Sequence, residues 1–145
     1  MSRRTSIVKA LVEKLKLIDG TGSYKTDIAN AAFPFLKFWD EVNNFPSIYC
    51  TAGSEAREYM PSNFTWGYLA LSLKIYCKGD DAQQLLENLL EDVENLIDAN
   101  RVLVYDADLG YETTEILLTS ITTDEGLLVP YAIGEINLQV RYAIM

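Results

Sequence analysis

Alternating apolar residues predict a long β-strand in the middle of the chain. From Leu69 to Ile75 every second residue is aliphatic, and the positions between them carry small or polar side chains. A period of two residues is typical of a strand with one buried face. The break at residues 78–81, Lys-Gly-Asp-Asp, predicts a tight turn into a helix. Asp80 or Asp81 is expected to accept hydrogen bonds from the free amides of the first helical turn.

After this turn the apolar residues recur with the period of a helix of about 18 residues. They share one face, which carries Ala82, Leu85, Leu86, Leu89, Leu90, Val93, Leu96 and Ile97. The opposite face is acidic and carries Glu87, Glu91, Asp92, Glu94 and Asp98. Because an apolar helix face follows an apolar strand face, we expect the helix to pack on the sheet. Each large side chain buried there contributes about 1.5–3 kcal/mol.

The flanking segments complete an α+β pattern. An apolar stripe over residues 7–18 predicts an N-terminal helix, capped by Thr5 or Ser6. Residues 24–44 are ambiguous. Further strands are predicted at 47–51, 102–105, 115–122 and 127–142, with a hairpin turn at residues 124–126. We therefore expect one domain over residues 1–145, with a mostly antiparallel β-sheet and two main α-helices packed on one face.

The segment from Thr51 to Asn63 is predicted to be a long loop between two strands. It shows no apolar period, and a hairpin connection would need only two to five residues. Loops of this length are often functional or mobile. Tyr59, Met60 and Pro61 are apolar groups that could dock on a partner, and the alternative is a loop folded back on its own domain.

Composition narrows the possible chemistry. The chain has no histidine, which removes Ser-His and Cys-His catalysis and most transition-metal sites. The acids form no recognisable catalytic pair, so we expect no enzyme activity, no cofactor and no metal.

Residues 106–112 have acids spaced like a calcium loop but lack its third acid and distal glutamate, which favours a simple turn. Residues 20–26 resemble a phosphate loop, but no glycine directly precedes the lysine.

The charge is large and unevenly distributed. The net charge of −9 argues against nucleic-acid binding by phosphate neutralisation. Residues 1–39 hold seven Lys/Arg and three Asp/Glu, whereas residues 80–145 hold two Arg and fourteen Asp/Glu. A chain that is basic at one end and acidic at the other can associate with copies of itself. The alternative is a chance distribution with a solvated acidic helix face.

The sequence shows neither a membrane helix nor a signal peptide, and this indicates a cellular compartment. No apolar run is long enough to predict a membrane helix, and the charged N-terminal segment is unlike a signal peptide. We therefore expect a protein made and kept in a cytoplasm, with no membrane partner. In that setting Cys50 and Cys77 are better interpreted as buried free thiols than as a disulfide.

Several strings in this layout resemble the tail terminator proteins of long-tailed bacteriophages, the minor tail protein U-like family. These strings follow the N-terminal helix in the order in which the family has them. The acidic amphipathic helix lies before the last string. The matching segments are Phe38-Trp39-Asp40-Glu41-Val42, Phe45-Pro46-Ser47-Ile48-Tyr49, Gly53-Ser54-Glu55, Phe64-Thr65-Trp66-Gly67-Tyr68-Leu69-Ala70-Leu71 and Leu138-Gln139-Val140-Arg141-Tyr142. The resemblance covers most of the chain, except for residues 24–37 and 105–126.

The resemblance implies a structural virion protein of the tail or neck, assembled in the host cytoplasm. Such proteins form a homohexameric ring that caps the tail tube, stops its elongation and provides the joining surface for the head connector. The implied partners are other copies of the chain, the tail tube protein and the head–tail connector. DNA would pass through the ring without specific binding. The alternatives are a head-closure or tail-completion neck protein, and a small-ligand-binding or enzymatic α+β domain.

The candidate sites are therefore surfaces. The expected contact with the tube or a neighbouring subunit is the segment containing Gly53, Glu55, Arg57, Tyr59, Met60 and Pro61. The basic side of the subunit contact is expected at Arg3, Arg4 and Lys9. The acidic side, or alternatively the lumen of the ring, is expected at Glu87, Glu91, Glu94 and Asp98.

Overall fold

A computed structural model describes residues 2–144 except the side chain of Trp39, so the two terminal methionines of the expected domain lie outside it. The helices are α1 (Arg3–Leu15) and α2 (Ala82–Ala99), with a short 3-10 turn at Trp39–Glu41. The strands are β1 (Ala32–Phe33), β2 (Ser47–Met60), β3 (Phe64–Lys78), β4 (Val104–Asp106), β5 (Tyr111–Thr123) and β6 (Tyr131–Ile144).

The strands form a single sheet in the order β1-β2-β3-β6-β5-β4. All neighbouring pairs are antiparallel except β1 and β2. At its centre β3 and β6 pair without interruption, from Thr65 opposite Ile144 to Lys78 opposite Tyr131. The prediction of an α+β fold with a mostly antiparallel sheet is confirmed.

Both helices pack on one face of this sheet and bury their apolar stripes. The alternating residues of β3 from Leu69 to Ile75 are at most 1% exposed, as the period of two predicts. All eight apolar positions predicted for α2 face the core, and only Leu85 among them is half-buried. Residues 7–15 of α1 supply the rest of the layer, chiefly Ile7, Leu11 and Leu15. The predicted helix-on-sheet core is confirmed.

The predicted helix caps were wrong in detail. Helix α1 begins at Arg3, and the hydroxyl of Ser2 accepts the amide hydrogen bond of Thr5. Ser2 is therefore the N-cap residue of α1, a role that was predicted for Thr5 or Ser6. Asp81 stands at the start of α2, but its side chain makes no capping hydrogen bond.

The largest error concerns residues 51–63, which are not a loop. Strand β2 continues to Met60, and β3 returns from Phe64 after a three-residue turn. Ser62 and Asn63 have positive φ angles of 68° and 62°, which a tight hairpin turn needs. The strand lacks an apolar period because its outer half is exposed on both faces.

The predicted strand at 127–142 also begins too early, since β6 starts at Tyr131. Residues 124–130 form the connection from β5 to β6. The short strand predicted at 102–105 lies at Val104–Asp106, and within the ambiguous segment only Ala32–Phe33 joins the sheet.

Asp92 does not belong to the solvated acidic face of α2, because it is fully buried. Its carboxylate accepts hydrogen bonds from the backbone amides of Lys25 and Thr26, at 3.0 and 2.8 Å, and from the Thr26 hydroxyl at 2.6 Å. This contact fastens the segment after α1 to the middle of α2.

A smaller apolar cluster lies on the opposite face of the sheet, under residues 33–46. It contains Val42, Tyr49 and Tyr76, with Phe33, Phe45 and Ile133 packed against them. Phe33 and Phe45 therefore contribute to this second cluster, whereas Phe38 is exposed. Cys50 and Cys77 are both buried and free, as predicted.

Candidate functional site

The outer half of the β2–β3 hairpin is the most exposed part of the sheet. Every β2 residue from Ala56 to Met60 is exposed, with Tyr59 at 75% and Met60 at 42%. Five of the predicted partner-contact residues lie on this strand, and Pro61 lies in the turn. Because side chains alternate along a strand, Tyr59 and Met60 point to opposite faces of the tip. The structure therefore brings the predicted residues together on the exposed outer half of β2 and its turn, which we call the arm, rather than on a loop.

The base of this arm is fastened by Glu55. The Tyr142 hydroxyl donates a hydrogen bond to Oε1 of Glu55, and Nε of Arg57 donates to Oε2 at 3.0 Å. Burial by itself raises the pKa of Glu55, but the hydrogen bonds from Tyr142 and Arg57 outweigh burial and lower that pKa. Burial, with the neighbouring carboxylate, raises the pKa of Tyr142. Glu55 is thus engaged within its own subunit.

Gly67 allows the close packing at this base. A β-carbon at Gly67 would lie 2.8 Å from Cε1 of the Tyr142 ring, which is closer than real side-chain contacts. Glycine is therefore the residue that lets β3 pass over Tyr142 while its hydroxyl reaches Glu55.

Two of the three basic candidates are also engaged within the subunit. The guanidinium of Arg4 donates a hydrogen bond to the carbonyl oxygen of Gly53, and that of Arg3 lies 4.8 Å from the centre of the Tyr111 ring. Lys9 is exposed and has no ion pair with any residue that the structure describes. The start of α1 and the base of the arm are therefore one connected unit, with Lys9 beside it.

The acidic candidates share one face of α2, as predicted. Glu87, Glu91 and Asp98 are exposed, and Glu94 is half-buried. Glu91 pairs with Lys25 at 3.0 Å, and Asp98 approaches Arg101 at 3.7 Å. Exposed pairs of this kind contribute about 0–1 kcal/mol each, so most of the charge of this face is available to a partner.

Several exposed apolar and aromatic residues were not predicted as contact residues. Leu127 and Val129 are 83% and 75% exposed in the connection from β5 to β6. Pro130 was the available signal, because proline is rare inside a paired strand and indicates a connection. Near the arm, the guanidinium of Arg141 lies 4.7 Å from the centre of the ring of Trp66, which is half-buried.

Among residues 2–144, no group of three or more His, Cys, Asp or Glu side chains is placed to hold a metal ion. No helix in this range combines the length and apolar content needed to cross a membrane. Burial raises the pKa of both Cys50 and Cys77 to about 12, which disfavours the reactive thiolate at neutral pH.

The chain resembles known proteins over its whole length. Residues 1–145 match the model of a family described as Bacteriophage Tail Tube Terminator Protein. The chain is 36% identical over 153 aligned residues to tail tube terminator protein p142 of Escherichia phage T5, covering 98% of this chain and 94% of that protein. A chain from the virion of a native gene transfer agent particle aligns with a TM-score of 0.62. That match covers 99% of this chain and all of the other at 8% identity, so it shows a shared fold alone.

Proposed function

The chain belongs to the bacteriophage tail tube terminator family, and from that premise we propose that its copies close into a ring on the end of the tail tube. The ring, of six subunits, stops the addition of further tube protein and offers a joining surface to the head connector. The protein acts by binding and carries no catalytic activity. The ring, its six subunits, the stop in tube elongation, the connector surface and the lack of catalytic activity are our proposals. Family membership by itself places the protein in the tail of a phage virion.

The exposed tip of the β2–β3 hairpin is the observation that carries this proposal. It presents Tyr59, Met60 and Pro61 at the end of an arm whose base is fixed by Glu55 and Tyr142. An aromatic side chain on a rigid support loses little conformational freedom on binding and often dominates an interface. We assign this tip to the contact with the tail tube.

The charges support association of copies around an aqueous channel. Lys9, beside Arg3 and Arg4, presents a positive group at one part of the subunit, and α2 presents Glu87, Glu91, Glu94 and Asp98 at another. The acidic face either meets the basic part of a neighbour or lines the lumen. In the lumen it would repel the phosphates of passing DNA and prevent binding.

Deletion and complementation test the terminator role. In a phage that lacks this gene, we expect tail tubes that exceed their normal length in electron micrographs. The wild-type gene supplied in trans restores the normal length. Tubes of normal length without the gene would overturn the terminator assignment.

A pair of matched variants tests the tip. We expect Y59D to leave tubes overlong, because it places a charge where the tube contact is proposed. F38D is the control, since Phe38 is 72% exposed and Tyr59 is 75% exposed. If Y59D restores tube length as well as F38D does, the tip is not the tube contact.

A further inference from the structure

The connection between β5 and β6, residues 124–130, exposes two aliphatic side chains that have no role in the fold. We call it the projecting loop. Leu127 and Val129 are 83% and 75% exposed, and no other large aliphatic side chain described is as exposed. Exposed apolar groups that lie close together are typical of a contact surface.

The projecting loop is held in one conformation by Asp124. Oδ1 of Asp124 accepts hydrogen bonds from the Gln83 side chain at 3.1 Å and from the Ile133 amide at 3.3 Å. Oδ2 accepts from the Leu128 amide at 3.3 Å, and the Asp124 amide donates to the carbonyl of Ile133 at 3.0 Å. A loop fixed in this way loses little entropy when its apolar residues are covered.

A complementary cavity lies elsewhere on the subunit, between the start of α1 and β2. It has a volume of about 420 Å³. Its apolar walls come from Val8, Pro34 and Ala52, Arg4 and Lys9 make it basic, and the hydroxyls of Ser2, Thr5 and Thr51 also line it. Because Arg4 is tied to the carbonyl of Gly53, Lys9 is the cation best placed to meet an incoming acid.

The projecting loop and the cavity are complementary in charge, and the apolar part of the cavity wall can receive aliphatic side chains. The loop carries Glu125, which is exposed and forms no ion pair within the described chain, next to Leu127 and Val129. The two patches lie on different parts of the fold, one after β5 and the other beside β2. A head-to-tail contact uses two such different patches, and it generates a ring when the rotation closes.

We propose that the projecting loop of one copy docks in the cavity between α1 and β2 of the next copy. Leu127 and Val129 enter the cavity, and Glu125 faces Lys9. This inference rests on the proposed ring and names the contact that builds it. The acidic face of α2 offers charge but exposes no large apolar side chain, so the buried part of the contact comes from the loop.

Reciprocal charge reversals test this pairing. K9E and E125K each place like charges at every contact, so we expect each variant alone to associate at least tenfold more weakly than wild type. In a ring that alternates the two variants, every contact joins either two unchanged residues or two reversed ones. An equal mixture should therefore recover rings, with the same number of each variant, and so should the double variant K9E/E125K. Native mass spectrometry and analytical ultracentrifugation at low salt give these compositions.

A variant of the two apolar loop residues tests whether they enter the cavity. L127D/V129D should lose self-association at low and high salt, since it puts charge into the cavity. L109D is the control, because Leu109 is 65% exposed in the turn from β4 to β5. Circular dichroism checks that each variant folds.

Three results would overturn the docking. They are a mixture of K9E and E125K that assembles no better than either alone, an L127D/V129D variant that assembles like wild type, and a wild-type chain that stays monomeric at the highest concentration. None of these changes the tube-length result with the wild-type gene, so the docking can fail while the terminator role stands.

Discussion

Tyr142 and Glu55 lie 87 positions apart in the sequence and are joined by a hydrogen bond from the phenol to the carboxylate. Tyr142 belongs to β6, one of the two central strands, and Glu55 directly follows the irregularity at which the register of β2 against β3 shifts. The bond therefore fixes the direction of the exposed arm relative to the core. A surface that must meet a partner at a defined angle depends on such a fixed base.

Removal of the Tyr142 hydroxyl should loosen this arm. Hydrogen bonds to charged groups contribute about 1.5–3 kcal/mol, so we expect Y142F to lower the free energy of unfolding by about that amount. Y59F is the control, because Tyr59 is exposed at the tip. Urea unfolding measures both variants, and hydrogen exchange of residues 54–68 should increase in Y142F alone. Equal stability of Y142F and wild type would mean that the bond does not support the arm.

The same pair predicts a dependence on acid pH. The folded pKa of Glu55 lies below its ordinary value of 4.5, so the ionised form stabilises the fold. That stability is present above pH 4.5 and is lost as the pH falls through the folded pKa. The difference in unfolding free energy between wild type and E55Q should therefore shrink as the pH falls below about 4.5. A difference that stays constant down to pH 3 would contradict this assignment.

At alkaline pH, Tyr142 determines the direction in which the folding stability changes. Burial and the Glu55 carboxylate raise the folded pKa of Tyr142 above its ordinary value of 10.0, which favours the neutral phenol in the folded state. The resulting stability is present below pH 10 and is lost as the pH rises above it. Wild type should therefore lose stability relative to Y142F between about pH 10 and 11, measured by urea unfolding at each pH.

The sequence predicted best where one face of an element is buried. The period in β3 and α2 located both elements because their inner faces meet in the core. It failed for the outer half of β2, where both faces meet water and the residues Gly-Ser-Glu-Ala-Arg-Glu carry no apolar period. A strand of this kind is held by its backbone hydrogen bonds to β3. These bonds do not depend on which side chains the strand carries, so the sequence does not reveal them.

Asp92 illustrates a second error. It was grouped with Glu87 and Glu91, yet at about 100° per residue it lies roughly 140° from Glu87, on the side of Leu89 and Leu96. The helical period could therefore indicate its burial, but not the segment more than sixty positions earlier that supplies its hydrogen-bond donors. The candidate surfaces have the same limitation. The sequence predicted that Glu55 and Arg4 contact partners, but it could not show that each is already engaged within the subunit.

Asp92 should be among the most sensitive polar positions in the chain. D92A removes the acceptor of the Lys25 and Thr26 amides, and an unsatisfied buried donor costs about 1–3 kcal/mol. We expect a loss of more than about 2 kcal/mol in unfolding free energy. E91A is the matched control, since Glu91 makes only an exposed pair with Lys25 and should change stability by less than about 1 kcal/mol. A loss in D92A no larger than in E91A would contradict the role given to the buried carboxylate.

The acidic face of α2 gives the last prediction, which concerns assembly. E91K/E94K replaces negative by positive charge on that face, so attraction to the basic part of a neighbouring copy should become repulsion. We expect weaker ring assembly at low salt and a smaller effect at high salt, because salt screens exposed charges. Analytical ultracentrifugation over a range of salt concentrations measures this. D108K/E112K is the control, since it changes the net charge equally at exposed positions near the turn from β4 to β5. If E91K/E94K assembles as wild type does, the acidic face does not contact a neighbour and is simply solvated.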